Sequence, residues 1–372
     1  MMPPQPDTAS PHRRVVVVLG MHRGGTSAVA GCLHRLGVDF GPRLMPASAD
    51  NARGYYEHLD IVQLHDRLLL HAGSSWDDAS VRAPGWLGDE QTGRFREELA
   101  ALLARDFKNA PLWGIKDPRL CRLLPWWAPV WEEMGCEPLF VIALRDPRQV
   151  AASLGRRDGM SLPKAYRLWL LHVLEAERET RGRQRVFLNF SEFLEDWPRA
   201  LEPVGAALGR PWPEAPPASA AQDGFIDGSL LKSNRAPAQG DMPLWVAEAD
   251  AALRTARGGE AEMRAALDRV YGAVCAAQSL FAGSQDNAED LSRELAALRQ
   301  QAQWYEAEWQ KARRRAEGGQ ERLERKADEG QKLKNRILIL EERIAKLRKL
   351  KLAEMRKQGG FRGLLARIFP AS

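Results

Sequence analysis

The chain has 372 residues, 44% of them hydrophobic and 28% charged, a length and composition that suit one sizeable folded domain with an extension. Its four cysteines, Cys32, Cys121, Cys136 and Cys275, are scattered with no C-x-x-C pair, which argues against a zinc site or a disulfide framework and fits a reducing compartment. The net charge of +5 is uneven: residues 311–372 carry 19 Lys/Arg against 8 Asp/Glu, a local +11 that leaves −6 on the remainder, so the basic balance says nothing about nucleic-acid binding by the front of the chain.

Residues 1–12 are Pro-rich and polar and read as a disordered leader. Four valines and a leucine at 15–19, closed by Gly20, predict a fully buried strand over 14–20. That run is far too short for a secretory signal or a membrane span, and no other stretch approaches the roughly 20 apolar residues a span needs, so a cytoplasmic protein is expected. A helix over 26–36 follows, stopped by Gly37, and helical apolar spacing recurs over 59–72, 92–106 and 164–180. Short buried strands are predicted at 113–115, 138–144 and 185–190. Strands alternating with helices predict an α/β fold, a parallel sheet with helices on both faces. Residues 211–224 read as a Pro/Ala-rich loop and 243–283 as helical. Trp76, Trp86, Trp126, Trp127 and Trp131 fit core packing or stacking on a sugar.

From 287 a heptad pattern runs to 356, with Leu333, Leu340 and Leu347 on one seam and Ile337 and Ile344 on the other, and with Gly319, Lys326 and Gly330 interrupting it. It predicts a C-terminal α-helical coiled coil that pairs two copies in parallel as a homodimer. Residues 357–372 form a basic, apolar tail suited to weak contact with an anionic membrane surface. The 236–286 region connects the front domain to the coiled coil.

Gly20-Met21-His22-Arg23-Gly24-Gly25-Thr26-Ser27 places a glycine-rich turn between a buried strand and a helix start. The first N–H groups of a helix lack intrahelical partners and, with the helix dipole, favour an anion there. The turn nearly matches G-x-x-x-x-G-K-[ST], but Thr26 stands in the lysine place and the nearest cation is Arg23. Such a loop suits a 5′-phosphosulfate better than ATP-Mg²⁺, and no metal is required. A second cation cluster, Arg145-Asp146-Pro147-Arg148, directly follows the 138–144 strand, and Lys116-Asp117-Pro118-Arg119 follows the 113–115 strand.

In these residues the sequence resembles PAPS-dependent sulfotransferases (PAPS is 3′-phosphoadenosine 5′-phosphosulfate). Arg23 to Ser27 resembles their 5′-phosphosulfate loop, and Arg145 with Ser153 eight residues later resembles their 3′-phosphate motif. The likeness covers 13–235 and is nearest to bacterial sulfotransferases and to the tyrosylprotein and heparan branches. It implies a P-loop NTPase-like sulfotransferase fold, PAPS as co-substrate, and transfer of a sulfuryl group to an acceptor hydroxyl, on a glycan or other saccharide. It further implies Arg23 and Glu57 as the catalytic pair, Glu57 being the base, with His58, His65 and Asp60 as competitors for that role. Gly24, Gly25, Thr26, Ser27, Arg145 and Ser153 would bind PAPS, joined by Lys116 and Arg119 at a strand end and by Arg235 or Lys232 in a closing loop at 225–235. Two other readings compete: a kinase-like P-loop enzyme, and a catalytically inactive nucleotide-binding scaffold built on the coiled coil.

Overall fold

The computed structural model describes residues 13–48, 51, 53–209, 226, 241–254, 259–280, 298, 300, 301, 303, 304 and 323–357. The leader, Lys232, Arg235 and the tail beyond residue 357 lie outside them. The chain divides into two units, Met1–Leu68 with Trp76–Cys275, and Leu69–Ser75 with Ala276–Ser372.

The first unit is α/β. Four strands, β1 (Arg13–Leu19), β2 (Leu112–Lys116), β3 (Cys136–Leu144) and β4 (Arg185–Asn189), form a sheet of order β2-β1-β3-β4 in which every pair is parallel. Val17 lies opposite Ile115 on one side and Phe140 on the other. The central place of β1 explains its unbroken valines, because a strand covered on both faces has no solvent side to make polar. Val16 and Val18 join Leu139 and Val141 under α1 (Thr26–Arg35) and the later helices α7 (Phe190–Glu195) and α8 (Trp197–Ala207). A second apolar cluster gathers α5 (Pro147–Asp158) and α6 (Leu162–Glu179) with α9 (Leu244–Arg254) and α10 (Glu260–Leu280). The remaining helices are α2 (Leu59–His71), α3 (Glu90–Phe107) and α4 (Leu120–Glu133).

One helix carries no clear signal in the sequence, and one strand differs from the expectation. The stretch 120–133 contains Pro125 and Pro129, which signal a break, yet it is helical. Proline costs about 3 kcal/mol inside a helix, whereas each large apolar side chain returns roughly 1.5–3 kcal/mol on burial, and Leu120, Leu123, Leu124, Trp127, Val130 and Trp131 are all buried. Trp126, Trp127 and Trp131 are therefore core residues; Trp131 meets Phe140 of β3 edge-on at 5.7 Å. The strand expected at 185–190 ends at Asn189 and is only partly buried, because β4 is an edge with β3 as its one neighbour. The Asn189 side chain then caps α7 by accepting from the Ser191 N–H at 2.9 Å, which puts Phe190 on a helix.

In the second unit, helix α11 (Leu323–Lys357) runs through Lys326 and Gly330 without a break. Leu298 joins Leu340, Ile344 and Leu347 in one apolar cluster, so part of the heptad seam is covered by the same chain. Leu338 and Ile339, just beside that seam, are exposed. Among the described residues no helix is long and apolar enough to cross a membrane.

Candidate anion-binding cleft

At the C-terminal end of β1 the chain makes a tight turn whose shape is fixed by close contacts. Gly20 has φ +143°, and a Cβ there would lie 2.8 Å from the Ala143 carbonyl. Its N–H donates to the Cys121 thiol sulfur at 3.2 Å, and the Gly24 N–H donates to the Met21 carbonyl at 2.8 Å. Arg23 sits at φ 65°, a left-handed conformation uncommon outside glycine. Gly25 precedes α1 at φ +91°, and a Cβ on it would come 2.2 Å from the Phe190 ring. Gly25→Ala therefore meets both a steric clash and an unfavourable φ. It is expected to weaken anion binding by more than about tenfold, as read by titration calorimetry against the native chain.

The turn brings together residues far apart in sequence. Arg23 Nε donates to Ser153 Oγ at 2.9 Å, and Arg145 Nη1 donates to the Arg23 carbonyl at 2.9 Å. Arg145 is held further by Gln149 Oε1 at 3.1 Å and lies 5.2 Å over the Phe190 ring. Burial, and then the neighbouring Arg23 charge, lower its pKa to about 10. The two arginine charges repel, and an anion arriving beside them would relieve that repulsion. The expected 5′ and 3′ anion residues thus form one cluster, with Ser153 bonded to Arg23.

Ser27, in the first turn of α1, accepts from Lys116 Nζ at 3.1 Å and from Asn51 Nδ2 at 3.2 Å. Lys116, at the end of β2, also forms a buried ion pair with Glu57. Burial raises the Glu57 pKa against the pull of Lys116. Lys116 supplies, from another strand, a cation beside the loop that Thr26 lacks.

Behind Lys116 lies a buried relay. Trp127 Nε1 can only donate, and it donates to His65 Nε2 at 2.8 Å; the ring proton of His65 is therefore on Nδ1, which donates to Asp117 Oδ2 at 2.8 Å. Asp117 Oδ1 accepts from the Arg119 backbone N–H at 2.9 Å and from Nη1 at 3.0 Å, and Arg119 Nε reaches Asp66 at 2.8 Å. Burial alone would push the Asp117 carboxyl up, but Arg119 and His65 together hold it far below the usual carboxylate range. Asp117→Asn is expected to cost about 3 kcal/mol in denaturant unfolding, because it removes the buried counter-charge of Arg119 and leaves the half-exposed Asp66 to pair with it. With the folded pKa depressed, that stabilisation is fully present above the unfolded value of about 3.9 and is lost as pH falls below it.

Beside these groups opens a cleft of about 340 Å³. Among the described residues six cationic side chains face it, Arg23, Arg53, Lys116, Arg119, Arg145 and Arg157, against one carboxylate, Glu57. Of the five tryptophans singled out in sequence, Trp76 alone lines it. Gly25, Thr26 and Ser27 line it as well, and Gly24 and Ser153 stand behind that surface. Among the competitors to Glu57, His65 is enclosed in the relay, His58 Nε2 pairs with Asp106 at 3.0 Å, and Asp60 accepts from Arg43 and Arg105 at 3.0 and 2.6 Å. None of the three lines the cleft. The ligand atoms of His58, Asp60 and Asp106 lie within 4.8 Å of one another, but the two arginines already neutralise the acids. Asn51, Arg53 and Arg157 also contribute to the cleft without any motif that marks them in sequence; His22 sits in the loop motif itself.

No protein-family profile matches the chain, and no curated protein sequence does. Solved structures similar in shape include two sulfotransferase domains. A sulfotransferase domain from the Synechococcus PCC 7002 olefin synthase shows 16% identity and a TM-score of 0.39, over 65% of this chain and 94% of that one. A sulfotransferase domain from the curacin biosynthetic pathway shows 12% identity and a TM-score of 0.36, over 62% and 92%. Likeness at this level leaves the chemistry to be argued from the residues themselves.

Proposed function

We propose that this chain is a sulfotransferase of P-loop type that moves a sulfuryl group from PAPS to an acceptor hydroxyl, on a glycan or other saccharide. The observation that carries the reading is the convergence of Arg23, Ser153 and Arg145 beside the Gly25 turn. These residues fit a donor with closely spaced anionic groups, because Arg145 is a partly desolvated cation near the Arg23 charge and an anion beside them offsets both costs. Arginine forks suit phosphate oxygens, and the first amides of α1 add donors.

The reaction joins the acceptor oxygen to sulfur as the bond from sulfur to the 5′-phosphate oxygen breaks. Glu57 takes the acceptor proton. Arg23 and the loop amides meet the charge left on the phosphate. Lys116 spans Ser27 and Glu57; turning its ammonium toward the leaving oxygen would strip Glu57 of its counter-charge and make it a stronger base. Residues Gly25 to Ser27, Lys116 and Arg119 complete the donor wall, with Gly24 behind it. The scattered thiols fit a cytoplasmic setting.

One observation favours a second reading. Lys116 beside Ser27 restores a cation of the kind an ATP-dependent P-loop enzyme uses. Competition calorimetry separates the two. Tight binding of 3′-phosphoadenosine 5′-phosphate that excess ATP does not displace supports the sulfotransferase, and preference for ATP-Mg²⁺ supports the rival. Binding of neither nucleotide would point to an inactive scaffold. Pairing of two copies through residues 287–356 is also proposed. It would have to displace Leu298 from Leu340, Ile344 and Leu347 or use the exposed Leu338 and Ile339.

A further inference from the structure

His22 is a cleft residue to which sulfuryl transfer from PAPS assigns no task. Its Nε2 is shielded from solvent and has no hydrogen-bond partner among the described residues. The imidazole lies 4.7 Å from the Trp76 ring at 58°, and the Arg157 guanidinium lies 5.5 Å from the same indole. All three side chains line the cleft. Shielded polar atoms without partners are rare in folded proteins, and one in a cleft wall points to a ligand that completes it.

The chemistry of that ligand follows from the imidazole. Burial first, and then Arg119, hold its pKa well below the ordinary histidine value, so the ring is neutral near pH 7. A neutral imidazole nitrogen makes one hydrogen bond, as donor in one tautomer and acceptor in the other. An ammonium can only donate and a carboxylate can only accept, whereas a hydroxyl satisfies either tautomer. The indole alongside offers apolar surface to a ring that carries hydroxyls at its rim.

We propose that His22 and Trp76 form the saccharide subsite of the cleft, with His22 Nε2 bonded to a sugar hydroxyl other than the one that reacts. The proposal rests on the sulfuryl-transfer reading of the same cleft and adds to it where the acceptor sits. The outer torsions of histidine and tryptophan are broad, and the proposal requires a ring rotation that brings the shielded Nε2 to the cleft surface.

The test uses the full chain labelled with ¹⁵N-histidine, saturated with 3′-phosphoadenosine 5′-phosphate and titrated with maltose, cellobiose and gentiobiose. At least one disaccharide is expected to shift the imidazole signals that disappear in His22→Phe. That variant, kept saturated with the nucleotide, should bind the same disaccharide about tenfold more weakly, the loss of one hydrogen bond. His22→Gln, whose amide can donate or accept, should keep most of the affinity. If the nucleotide binds but no disaccharide moves the His22 signals, or if His22→Phe binds them as the native chain does, the subsite is wrong and sulfuryl transfer stands. If the native chain fails to bind the nucleotide, the sulfuryl-transfer reading itself falls and takes the subsite with it.

Discussion

Arg23→Ala is expected to lower sulfuryl transfer by about a thousandfold, the upper range for removing a donor aimed at developing charge. Three consequences of the substitution act together. The loop loses the only cation on its own backbone between Gly20 and Ser27. Ser153 loses the donor at its hydroxyl. The remaining guanidinium, Arg145, still bonds the carbonyl of residue 23, so the turn keeps its tie to α5 and the loss falls on chemistry more than on fold. The left-handed φ at this position does not favour the native residue over either variant, because arginine, alanine and lysine carry the same Cβ. Single-turnover transfer of labelled sulfate, with circular dichroism to confirm folding, reads the effect. Native-like turnover in Arg23→Ala would refute the mechanism.

Glu57→Gln is expected to cost about 10²–10⁴-fold in turnover while donor affinity stays within a few-fold. The amide keeps the size of the side chain, and its oxygen can still accept from Lys116, but it cannot take the acceptor proton. The pH profile gives an independent check. Burial raises the Glu57 pKa above the ordinary glutamate value of about 4.3. The base is lost as pH falls through that raised value, so the native rate should drop on the acid side, and Glu57→Gln should flatten this limb. Undiminished turnover in Glu57→Gln would move the base to another residue of the cleft.

Much of the fold was readable because its signals are local. Four consecutive valines closed by Gly20 favour a strand covered on both faces, and β1 is central. The loop from Gly20 to Ser27 and the Arg145 motif each begin where a buried run ends, and both reach the cleft. Helix α4 was hidden because its prolines are local signals while its justification, burial of Trp127 and Trp131, is tertiary. The partly buried character of β4 depends on its being an edge, which sheet order decides and sequence does not state. In the cleft, the donors were legible by type and position. Their partners were not: nothing in the spacing of 23 and 153, or of 27, 51 and 116, announces a hydrogen bond. The relay from Trp127 through His65 to Asp117 was equally invisible, since each member looks ordinary in its own segment.

The adjacency of Arg23 and Arg145 also makes the ligand-free protein its own adversary. Repulsion within the cleft is carried by the native state and relieved on unfolding, so any small dianion that occupies the cleft acts as a folding partner. At a hundredfold excess over its dissociation constant such an anion adds about 2.7 kcal/mol to stability. Storage in phosphate or sulfate should therefore raise the melting temperature beyond what chloride of equal ionic strength achieves, and dialysis away from those ions should expose the chain at its most fragile.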